Sequence, residues 1–320
     1  MALIISTVNM KGGVGKTTLT VNLAACLARH HKKRVLVVDL DSQISATLSL
    51  MPPQDFARIR KARRTLSYLI ETTIKPTLKL KQSYDINDII CPFVANVQGL
   101  DLLPGDIELY DEYLVSEMLH TQAVKDTSTD FQAIWNSFEL VLIKKILEPV
   151  MDSYDFIIMD CAPGYNLVTR SGLAASDFYI LPARPEPLSV VGIQLLQRRI
   201  RALKESHENT DPENLDPIKL NLLGIVFILS GGSILNRYYN QVMRRVSDDF
   251  TSTQLFKNKI PMDVNVAKAL DTFQPVVISM PSTSGAKAFQ KLSAEFIEKL
   301  KDAGGITDRN PSRVNLADIE

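Results

Sequence analysis

The sequence predicts a doubly wound α/β fold in which helices cover both faces of a mostly parallel sheet. Several short runs are apolar at every position rather than at alternate positions, as in strands that are buried on both faces. Helical patterns separate these runs, and alternating strands and helices form parallel sheets with right-handed crossovers. The predicted strands are Leu3–Val8, Val35–Leu40, GLDLLPG (99–105), Phe156–Met159, Phe178–Leu181, Leu222–Leu229 and Val276–Ile278.

Apolar residues spaced as on one face of a helix predict the helices between these strands. The stretch TLSYLI (65–70) predicts a short helix and residues 131–151 a long amphipathic one. The longer stripes are Leu19, Leu23 and Leu27; Leu188, Leu195 and Leu196; and Phe289, Leu292, Phe296 and Leu300. We expect a single domain over residues 1–302, with insertions at about 52–98 and 119–150, followed by a polar tail at 303–320.

The overall composition is that of an ordinary globular protein. The 320 residues include 36 basic and 36 acidic side chains, so the net charge is zero and any nucleic acid or membrane partner would need a local patch. Cys26, Cys91 and Cys161 are far apart in the chain and are expected to be core residues in a reducing compartment. Neither a signal peptide nor a run of ~18 apolar residues is evident, so we expect a cytoplasmic protein.

The segment NMKGGVGKTT (9–18) indicates a phosphate-binding loop, because it connects the first strand to a helix that begins at Lys16 or Thr17. Its glycines allow backbone N–H groups to turn toward an anion, and the helix N-terminus adds the positive end of a dipole. Lys16 is placed to reach the outer phosphates, and Thr17 to offer a hydroxyl to Mg²⁺. The segment departs from G-x-x-x-x-G-K-[ST] because Met10 replaces the first glycine and Lys11 adds a second cation.

With its second lysine, KGGVGKTT (11–18) resembles the deviant Walker A box of the ParA/MinD family of positioning ATPases. The resemblance implies that Lys11 reaches across a dimer interface to the phosphates of the partner's nucleotide. Charge compensation during phosphoryl transfer gives a second cation a physical purpose. The residues implied to bind ATP in this loop are Gly12, Gly13, Val14, Gly15, Lys16, Thr17 and Thr18.

Carboxylates follow two of the predicted strands. Asp39 and Asp41 end the second strand in VVDLDSQ, and Asp160 ends the fourth run in YDFIIMDCAPG. Residues at the carboxyl edge of a parallel sheet face its ligand, although an acidic turn after a strand has the same appearance. The D-x-D-x-Q pattern resembles the family's first switch and the Asp160 segment its second, with one proline missing before Pro163. The resemblance implies that Asp39 and Asp160 support Mg²⁺ together with Thr17, and that Asp41 orients the attacking water.

The resemblance extends through much of the chain, over about residues 1–50, 99–115 and 154–300. In ILPARPEPLSVVGIQLLQRRI (180–200), Pro182, Glu186 and Gly192 match a Pro, Glu and Gly segment of the family. The block KIPMDVNVAKAL (259–270) matches the turn that lies against adenine. This implies adenine contacts from Pro261, Met262 and Val264.

Three clusters of basic residues are candidates for binding DNA, since phosphate contacts require only cations on one face. By resemblance, Arg201 falls where ParA-type proteins contact DNA. A solvated helix face explains any single cluster equally well, and the third cluster could also bind an acidic partner. The clusters are Arg198, Arg199, Arg201 and Lys204; Arg244 and Arg245; and Arg58, Arg60, Lys61, Arg63 and Arg64.

The function expected from this resemblance is that of an Mg²⁺-dependent ATPase that forms a homodimer on ATP and binds DNA without sequence preference. An adaptor would stimulate hydrolysis, and cycles of binding and release on the nucleoid would position a plasmid, a chromosome or a carboxysome. Membrane binding is disfavoured because DRNPSRVNLADIE (308–320) has no apolar helical face. Open alternatives are a MinD-like or purely protein-tethered positioning ATPase, a metabolic or maturation ATPase on the same fold, and a nucleotide-binding module without useful hydrolysis.

Overall fold

The computed structural model of the chain describes residues 1–74, 83–109, 131–208, 217–228, 241–244 and 250–306. Six strands form one sheet in the order β3-β2-β4-β1-β5-β6, and all neighbouring strands are parallel. The strands are β1 (Leu3–Thr7), β2 (Val35–Leu40), β3 (Leu100–Leu103), β4 (Phe156–Cys161), β5 (Phe178–Ala183) and β6 (Asn221–Phe227). The predicted doubly wound α/β fold class is confirmed, with a fully parallel sheet.

Helices connect the strands and cover the sheet on both faces. Within the described residues, no helix has the length and apolar character needed to cross a bilayer. The helices are α1 (Lys16–His31), α2 (Ser45–Leu50), α3 (Pro53–Lys61), α4 (Leu66–Ile74), α5 (Ile86–Ile89), α6 (Phe131–Leu147), α7 (Leu167–Ala174), α8 (Pro187–Glu208), α9 (Val264–Lys268), α10 (Val276–Ser279) and α11 (Ser284–Asp302). Short 3₁₀ turns lie at Val94–Asn96, Glu148–Val150, Ser252–Gln254 and Ala269–Thr272.

One predicted strand is wrong. Residues 276–278 lie in the short helix α10, which begins directly after Pro275. Val276 and Val277 are fully buried, and the backbone N–H of Val277 donates to the side chain of Asn22 in α1 rather than to a neighbouring strand. A run of three buried apolar residues has no periodicity, so its sequence cannot distinguish a buried helical turn from a strand.

Two apolar clusters explain why the strands are hydrophobic at every position. In β1, Ile4 packs into the cluster beneath α6, α7 and α8, whereas Ile5 packs into the cluster beneath α1 and α11. Cys26 and Cys161 are buried as predicted, Cys91 is half-buried, and all three are free thiols. Burial on both faces therefore comes from helices on both sides, as expected for a parallel sheet.

The strand register brings the candidate site residues to one edge of the sheet. Asp39 of β2 pairs with Asp160 of β4, and Thr7 of β1 pairs with Asp160 on the other side. The chain leaves β1 at this carboxyl edge and enters the glycine loop that begins α1. Parallel pairing thus places residues distant in sequence around one crevice, where open α/β sheets bind ligands.

The aromatic contact between α11 and the sheet is a test of this packing. Phe296 is fully buried, and its ring lies 5.8 Å from that of Phe156 at an edge-to-face angle of 67°. We expect Phe296→Ala to lower the free energy of unfolding by about 3–5 kcal/mol, because it leaves a cavity beside β4. Urea denaturation measures the change, with the exposed Lys291→Ala on the same helix as control. A loss no larger than that of the control would contradict this packing.

Candidate nucleotide-binding site

The glycine loop between β1 and α1 has a backbone that only glycine adopts readily. Gly13 has φ 69° and Gly15 has φ 89°, both in the left-handed region. A Cβ atom at Gly15 would lie 2.6 Å from Cδ1 of Ile228, so the side chain of Ile228 would have to move to admit it. The loop therefore depends on glycine for its turn.

The first turn of α1 has no competing acceptor at its N-terminus. Gly15 is the N-cap residue, no side chain caps the helix, and the first turn contains no acidic residue. Its N–H groups are therefore free of side-chain caps and can donate to an anion. Two hydrogen bonds of the Asn9 side chain fix the start of the loop. Asn9 Nδ2 donates to Pro182 O at 2.8 Å, and Asn9 Oδ1 accepts from Lys11 N at 2.9 Å.

Lys16 lies inside the loop as predicted. Its residue is 6% exposed, and Nζ lies 3.4 Å from the carbonyl oxygen of Lys11. Burial lowers the pKa of Lys16, whereas the charges of Asp160 and Asp41 oppose that shift. An ammonium group in the phosphate loop at the start of an uncapped helix is placed to neutralise phosphate charge.

Asp160 accepts hydrogen bonds from two hydroxyls of α1. Thr17 Oγ1 donates to Oδ2 at 2.6 Å, and Thr20 Oγ1 donates to Oδ1 at 3.2 Å. Asp160 is fully buried, and burial followed by repulsion from Asp39 raises its pKa to about 8. The Thr17 hydrogen bond and the charge of Lys16 act in the opposite direction.

Asp39 lies behind the cavity and is held by α2. Its Oδ2 accepts from Thr47 N at 2.8 Å and from Thr47 Oγ1 at 2.7 Å, and its Oδ1 accepts from Asp41 N at 3.2 Å. Burial is the largest cause of its pKa of about 6, and the Thr47 hydrogen bonds reduce the shift. A Cβ atom at Gly105 would lie 2.9 Å from Asp39 O, so the chain after β3 closes this side.

Asp41, unlike Asp39, lines the cavity. β2 ends at Leu40, so Asp41 belongs to the following turn. Its side chain therefore need not follow the alternation of side-chain directions along the strand, and it lines the cavity. Asp41 Oδ1 accepts from Gln43 N at 3.0 Å, and Asp41 O accepts from Ile44 N at 2.8 Å. The turn positions this carboxylate on the cavity wall beside the glycine loop.

The cavity has a volume of about 900 Å³ and extends from the glycine loop to the turn before α9. Pro261, Met262 and Val264 line its far end, and Met262 and Val264 are 68% and 63% exposed. Asp263 fixes this turn, because its carboxylate accepts from Gly285 N at 2.8 Å and from Asn265 N at 2.9 Å. These backbone hydrogen bonds, with that from Gly285 first, lower the pKa of Asp263.

The sequence analysis assigned no role to several residues that line the cavity. Arg184 at the end of β5 and Ile228 after β6 are brought to it by the strand order β1-β5-β6. Neither belongs to a spacing pattern. Arg184 lies shortly after the predicted strand Phe178–Leu181, and Ile228 lies near the end of the predicted strand Leu222–Leu229. Gln43 and the α2 residues Ser45, Leu48 and Ser49 line the wall next to Asp41.

Lys11 lies outside the cavity that contains Lys16. Its side chain is 44% exposed, and Nζ lies 2.6 Å from Oε2 of Glu186 in the turn before α8. Both residues belong to motifs quoted above, but the sequence alone did not indicate their contact. In a single chain, the second lysine is therefore directed along the surface toward α8.

The basic cluster on α8 is exposed to solvent. Arg198, Arg199 and Arg201 are exposed, and Lys204 is half-buried. The helix buries Ile193, Leu196, Ile200 and Leu203 against the sheet, so Arg198 and Arg201 face outward. Arg244 is also exposed, whereas Arg245 lies outside the described residues.

The cluster at residues 58–64 has partners within the chain. Arg58 forms an ion pair with Asp55, Arg60 with Asp106 and Glu108, and Arg63 with Glu71. Arg64 donates to the backbone oxygen of Asp88. These contacts neutralise most of the cluster and join α3 to neighbouring segments, which favours a structural role over a partner site.

The side chains around Thr17 suit a magnesium ion bound together with phosphate. Mg²⁺ prefers oxygen ligands and keeps several waters, using one or two protein groups and the substrate phosphates. Thr17, Asp160 and Asp41 offer such oxygens. Within the described residues, no group of three or more His, Cys, Asp or Glu side chains could hold a metal alone, so nucleotide phosphates would complete the site.

Comparisons with known proteins agree with this geometry. The family model described as "AAA domain" matches residues 2–212. The sporulation initiation inhibitor protein Soj of Bacillus subtilis is 31% identical over 298 residues, covering 92% of this chain and 98% of that protein. Apo McdA from Cyanothece has a TM-score of 0.65 at 18% identity, covering 93% of this chain and 100% of that chain.

Cobyrinic acid a,c-diamide synthase from Mycobacterium smegmatis, solved with ADP and magnesium, is another structure with a similar fold. Its TM-score is 0.64 at 21% identity, covering 95% of this chain and 97% of that chain. At this identity, the similarity concerns the fold alone.

The buried carboxylates predict a pH-dependent stability when Mg²⁺ and nucleotide are absent. Because the pKa of Asp160 is raised to about 8, the folded state binds more protons than the unfolded state between about pH 4 and 8. The free energy of unfolding contributed by this group therefore falls as the pH rises through that range. We expect Asp160→Asn to raise the melting temperature most at pH 8 and to flatten its pH dependence.

Thermal denaturation at pH 6 and pH 8 measures this effect in buffer with a chelator. The matched control is Asp152→Asn, whose side chain is 93% exposed at the surface. An unchanged pH dependence in Asp160→Asn would show that Asp160 is ionised in the folded protein.

Proposed function

The chain belongs to the ParA/MinD family of positioning ATPases, and from this premise we propose that it is an Mg²⁺-dependent switch that dimerises on ATP and binds DNA. ATP hydrolysis, stimulated by an adaptor protein, releases the dimer from nonspecific DNA of the nucleoid. Repeated cycles position or segregate a cargo in the cytoplasm.

The observation that supports this proposal most is the separation of the two lysines. Lys16 is buried in the loop, where it can serve the nucleotide of its own chain, whereas Lys11 is exposed and lines no part of that cavity. An exposed cation beside the phosphate loop is available to a second copy of the chain. Within one chain its partner is Glu186, and in the proposed dimer Lys11 exchanges this ion pair for the phosphates of the other copy's nucleotide.

In the proposed mechanism, the glycine-loop N–H groups and Lys16 bind the phosphates. Thr17 and Asp160 would hold Mg²⁺, with Asp39 supporting them from behind, and the bound ion would supply charge neutralisation for phosphoryl transfer. Asp41 lines the cavity and orients the attacking water. Pro261, Met262 and Val264 form the adenine end. A slow intrinsic rate is expected, because a switch requires a long-lived ATP state.

The proposed DNA contact is the outward face of α8, with Arg198, Arg199, Arg201 and Lys204, and with Arg244 and Arg245 near a second contact position. Contacts of such cations with the phosphate backbone bind DNA irrespective of sequence. The ion pairs within residues 58–64 make that cluster a weaker candidate.

The cargo follows from similarity alone and has three candidates. Partition of a chromosome or plasmid and positioning of a carboxysome are uses of this family, and the McdA similarity concerns fold alone. The remaining alternatives are a membrane or protein tether in place of DNA, and a metabolic or maturation ATPase. Two experiments, on Lys11 and on α8, separate these alternatives from the proposed DNA-bound switch.

Replacing Lys11 tests dimerisation in trans. We expect Lys11→Ala to bind ATP about as tightly as the unchanged protein, because Lys11 lies outside its own cavity. ATP-dependent dimers and hydrolysis should be lost, with turnover at least 100-fold slower, as for other groups that stabilise transferred phosphoryl charge. Light scattering after size exclusion measures the dimer, and a fluorescent ATP analogue measures binding.

The control for this variant is Lys291→Ala, which removes an exposed lysine of α11 far from the loop. Dimers and hydrolysis that persist in Lys11→Ala would favour a monomeric metabolic enzyme. Hydrolysis by the unchanged protein without any dimer would have the same meaning.

Charge removal on α8 tests DNA binding. Anisotropy of a labelled random-sequence duplex should rise only with ATP, and binding should weaken as salt increases. We expect Arg198→Ala combined with Arg201→Ala to weaken binding and to reduce the slope of log K against log salt by about 2, because two phosphate contacts are lost.

Arg58→Ala is the matched control, since Arg58 is exposed but already paired with Asp55. Equal losses of DNA affinity in the control and in the α8 variant would contradict the assignment of the outward face of α8 as the DNA contact. If the duplex bound in none of the three states, with ATP, with ADP or without nucleotide, the proposal of a DNA tether would fail and a membrane or protein tether would replace it.

A further inference from the structure

A second concave site lies at the opposite edge of the sheet from the glycine loop. It has a volume of about 770 Å³ and is formed by the C-terminal end of α1, the start of β2 and the loop before β3. We name it the basic groove and define it by Arg29, Lys32, Lys33, Arg34, Phe93 and Asp101. From the first residue of α1, Lys16, to the first groove residue, Ala28, the helix rises by about 18 Å, which separates the groove from the glycine loop.

The groove has an excess of positive charge. Arg29, Lys32 and Lys33 have no ion pair with any described residue, and Arg34 has a long, exposed contact of 3.8 Å to Asp155. Cations at the C-terminus of a helix interact favourably with the helix dipole, which accounts for Arg29 in the last turn of α1. Lys32, Lys33 and Arg34 lie beyond that turn, so the helix alone does not explain them.

The acidic group of the groove is already engaged by its wall. Asp101 Oδ1 accepts from Phe93 N at 2.9 Å, and Oδ2 accepts from the hydroxyl of Tyr154 at 2.8 Å. The remaining positive field affects neighbouring groups. Burial is the largest cause of the lowered pKa of His30, and the charges of Arg29 and Lys32 add to it.

The loop that forms one wall adopts an unusual backbone. Phe93, Ala95 and Asn96 have φ values of 59°, 52° and 56°, although none is glycine. Non-glycine residues in this region cost free energy and persist where surrounding contacts enforce them, which is a feature of functional loops. Here, the paired hydrogen bonds between Cys91 and Leu102 anchor the loop, and the side chain of Phe93 is 53% exposed.

We propose that the basic groove is a docking site for an acidic peptide segment of a partner protein. Its cations match the carboxylates of such a segment, and the exposed ring of Phe93 beside Pro92 and Val97 offers an apolar contact for one of its side chains. A concave site with a partly apolar wall fits a narrow chain better than the broad, convex backbone of a DNA duplex.

The position of the groove also distinguishes it from the proposed DNA face. Ala28 and Val97 of the groove belong to the apolar cluster beneath α1 and α11, and Tyr154 belongs to the cluster on the other face. The groove therefore lies at the edge of the sheet beside β2 and β3, whereas α8 connects β5 to β6 at the other end of the strand order. A partner bound in the groove would therefore leave both the nucleotide cavity and the α8 arginines accessible. The site is independent of the proposed DNA binding.

Anisotropy of a fluorescein-labelled decapeptide of alternating Asp and Glu with one central Leu tests the proposal on the full chain. We expect saturable binding that weakens with salt and is lost for the Asn and Gln version of the peptide. The Arg29→Glu and Lys33→Glu double variant should bind about tenfold more weakly or worse, because attractive pairs become repulsive. Phe93→Asn keeps a residue that tolerates the left-handed backbone and should weaken binding severalfold.

The matched control is the double variant Lys287→Glu and Lys291→Glu, which makes the same charge change on the exposed face of α11. Nucleotide affinity of both double variants should equal that of the unchanged protein, which verifies folding. No saturable binding, or equal losses in both double variants, would overturn the proposal. Tighter binding of a dT10 oligonucleotide with the same residue dependence would assign the groove to nucleic acid instead.

Discussion

The structure depends on the burial of acidic groups beneath the phosphate loop. Asp39 and Asp160 lie side by side on adjacent strands with no solvent exposure, and Lys16 is buried close enough to Asp160 for their charges to interact. Such an arrangement is costly unless each charge is matched by hydrogen bonds or by an opposite charge. Thr17 and Thr20 from α1 and Thr47 from α2 supply the hydrogen bonds. The strand order, the first turn of α1 and the position of α2 all serve this local requirement.

The parallel sheet makes that burial possible because apolar packing occupies its two faces, whereas the groups of the candidate site lie at its carboxyl edge. Helices cover both faces, so the strands contribute mainly apolar side chains along their length, and the buried carboxylates Asp39 and Asp160 lie near the carboxyl edge. The glycine loop then lies over the carboxylates, and the turn around Asp263 closes the far end of the cavity. The two ends of α1 also differ. Its N-terminal N–H groups have no side-chain cap and lie at the cavity, whereas its C-terminal end has cations and lies at the amino edge of the sheet.

The basic segments show how tertiary neighbours decide the role of a charge cluster. Residues 58–64 and 198–204 have similar densities of Arg and Lys, and both lie on or beside helices. The basic residues at 58–64 form ion pairs with Asp55, Glu71 and Asp106, which compensate their charge. In contrast, α8 exposes Arg198 and Arg201 to solvent. Periodicity within one helix predicts which side chains face outward, but it contains no information on which acidic segment lies opposite.

The sequence by itself determined the parts of this protein that depend on neighbours within a few residues. Fully apolar runs identified five of the six strands, the stretch GLDLLPG (99–105) identified β3, and the spacing of Gly13, Gly15, Lys16 and Thr17 identified the phosphate loop. Only the tertiary structure decided that residues 276–278 form a helix, that Asp39 lies behind the cavity while Asp41 lines it, and that Lys11 contacts Glu186. It also placed Arg184 and Ile228 at the cavity. The physical reason is that pairing of parallel strands and packing of helices join residues more than a hundred positions apart, and no local pattern encodes those distances.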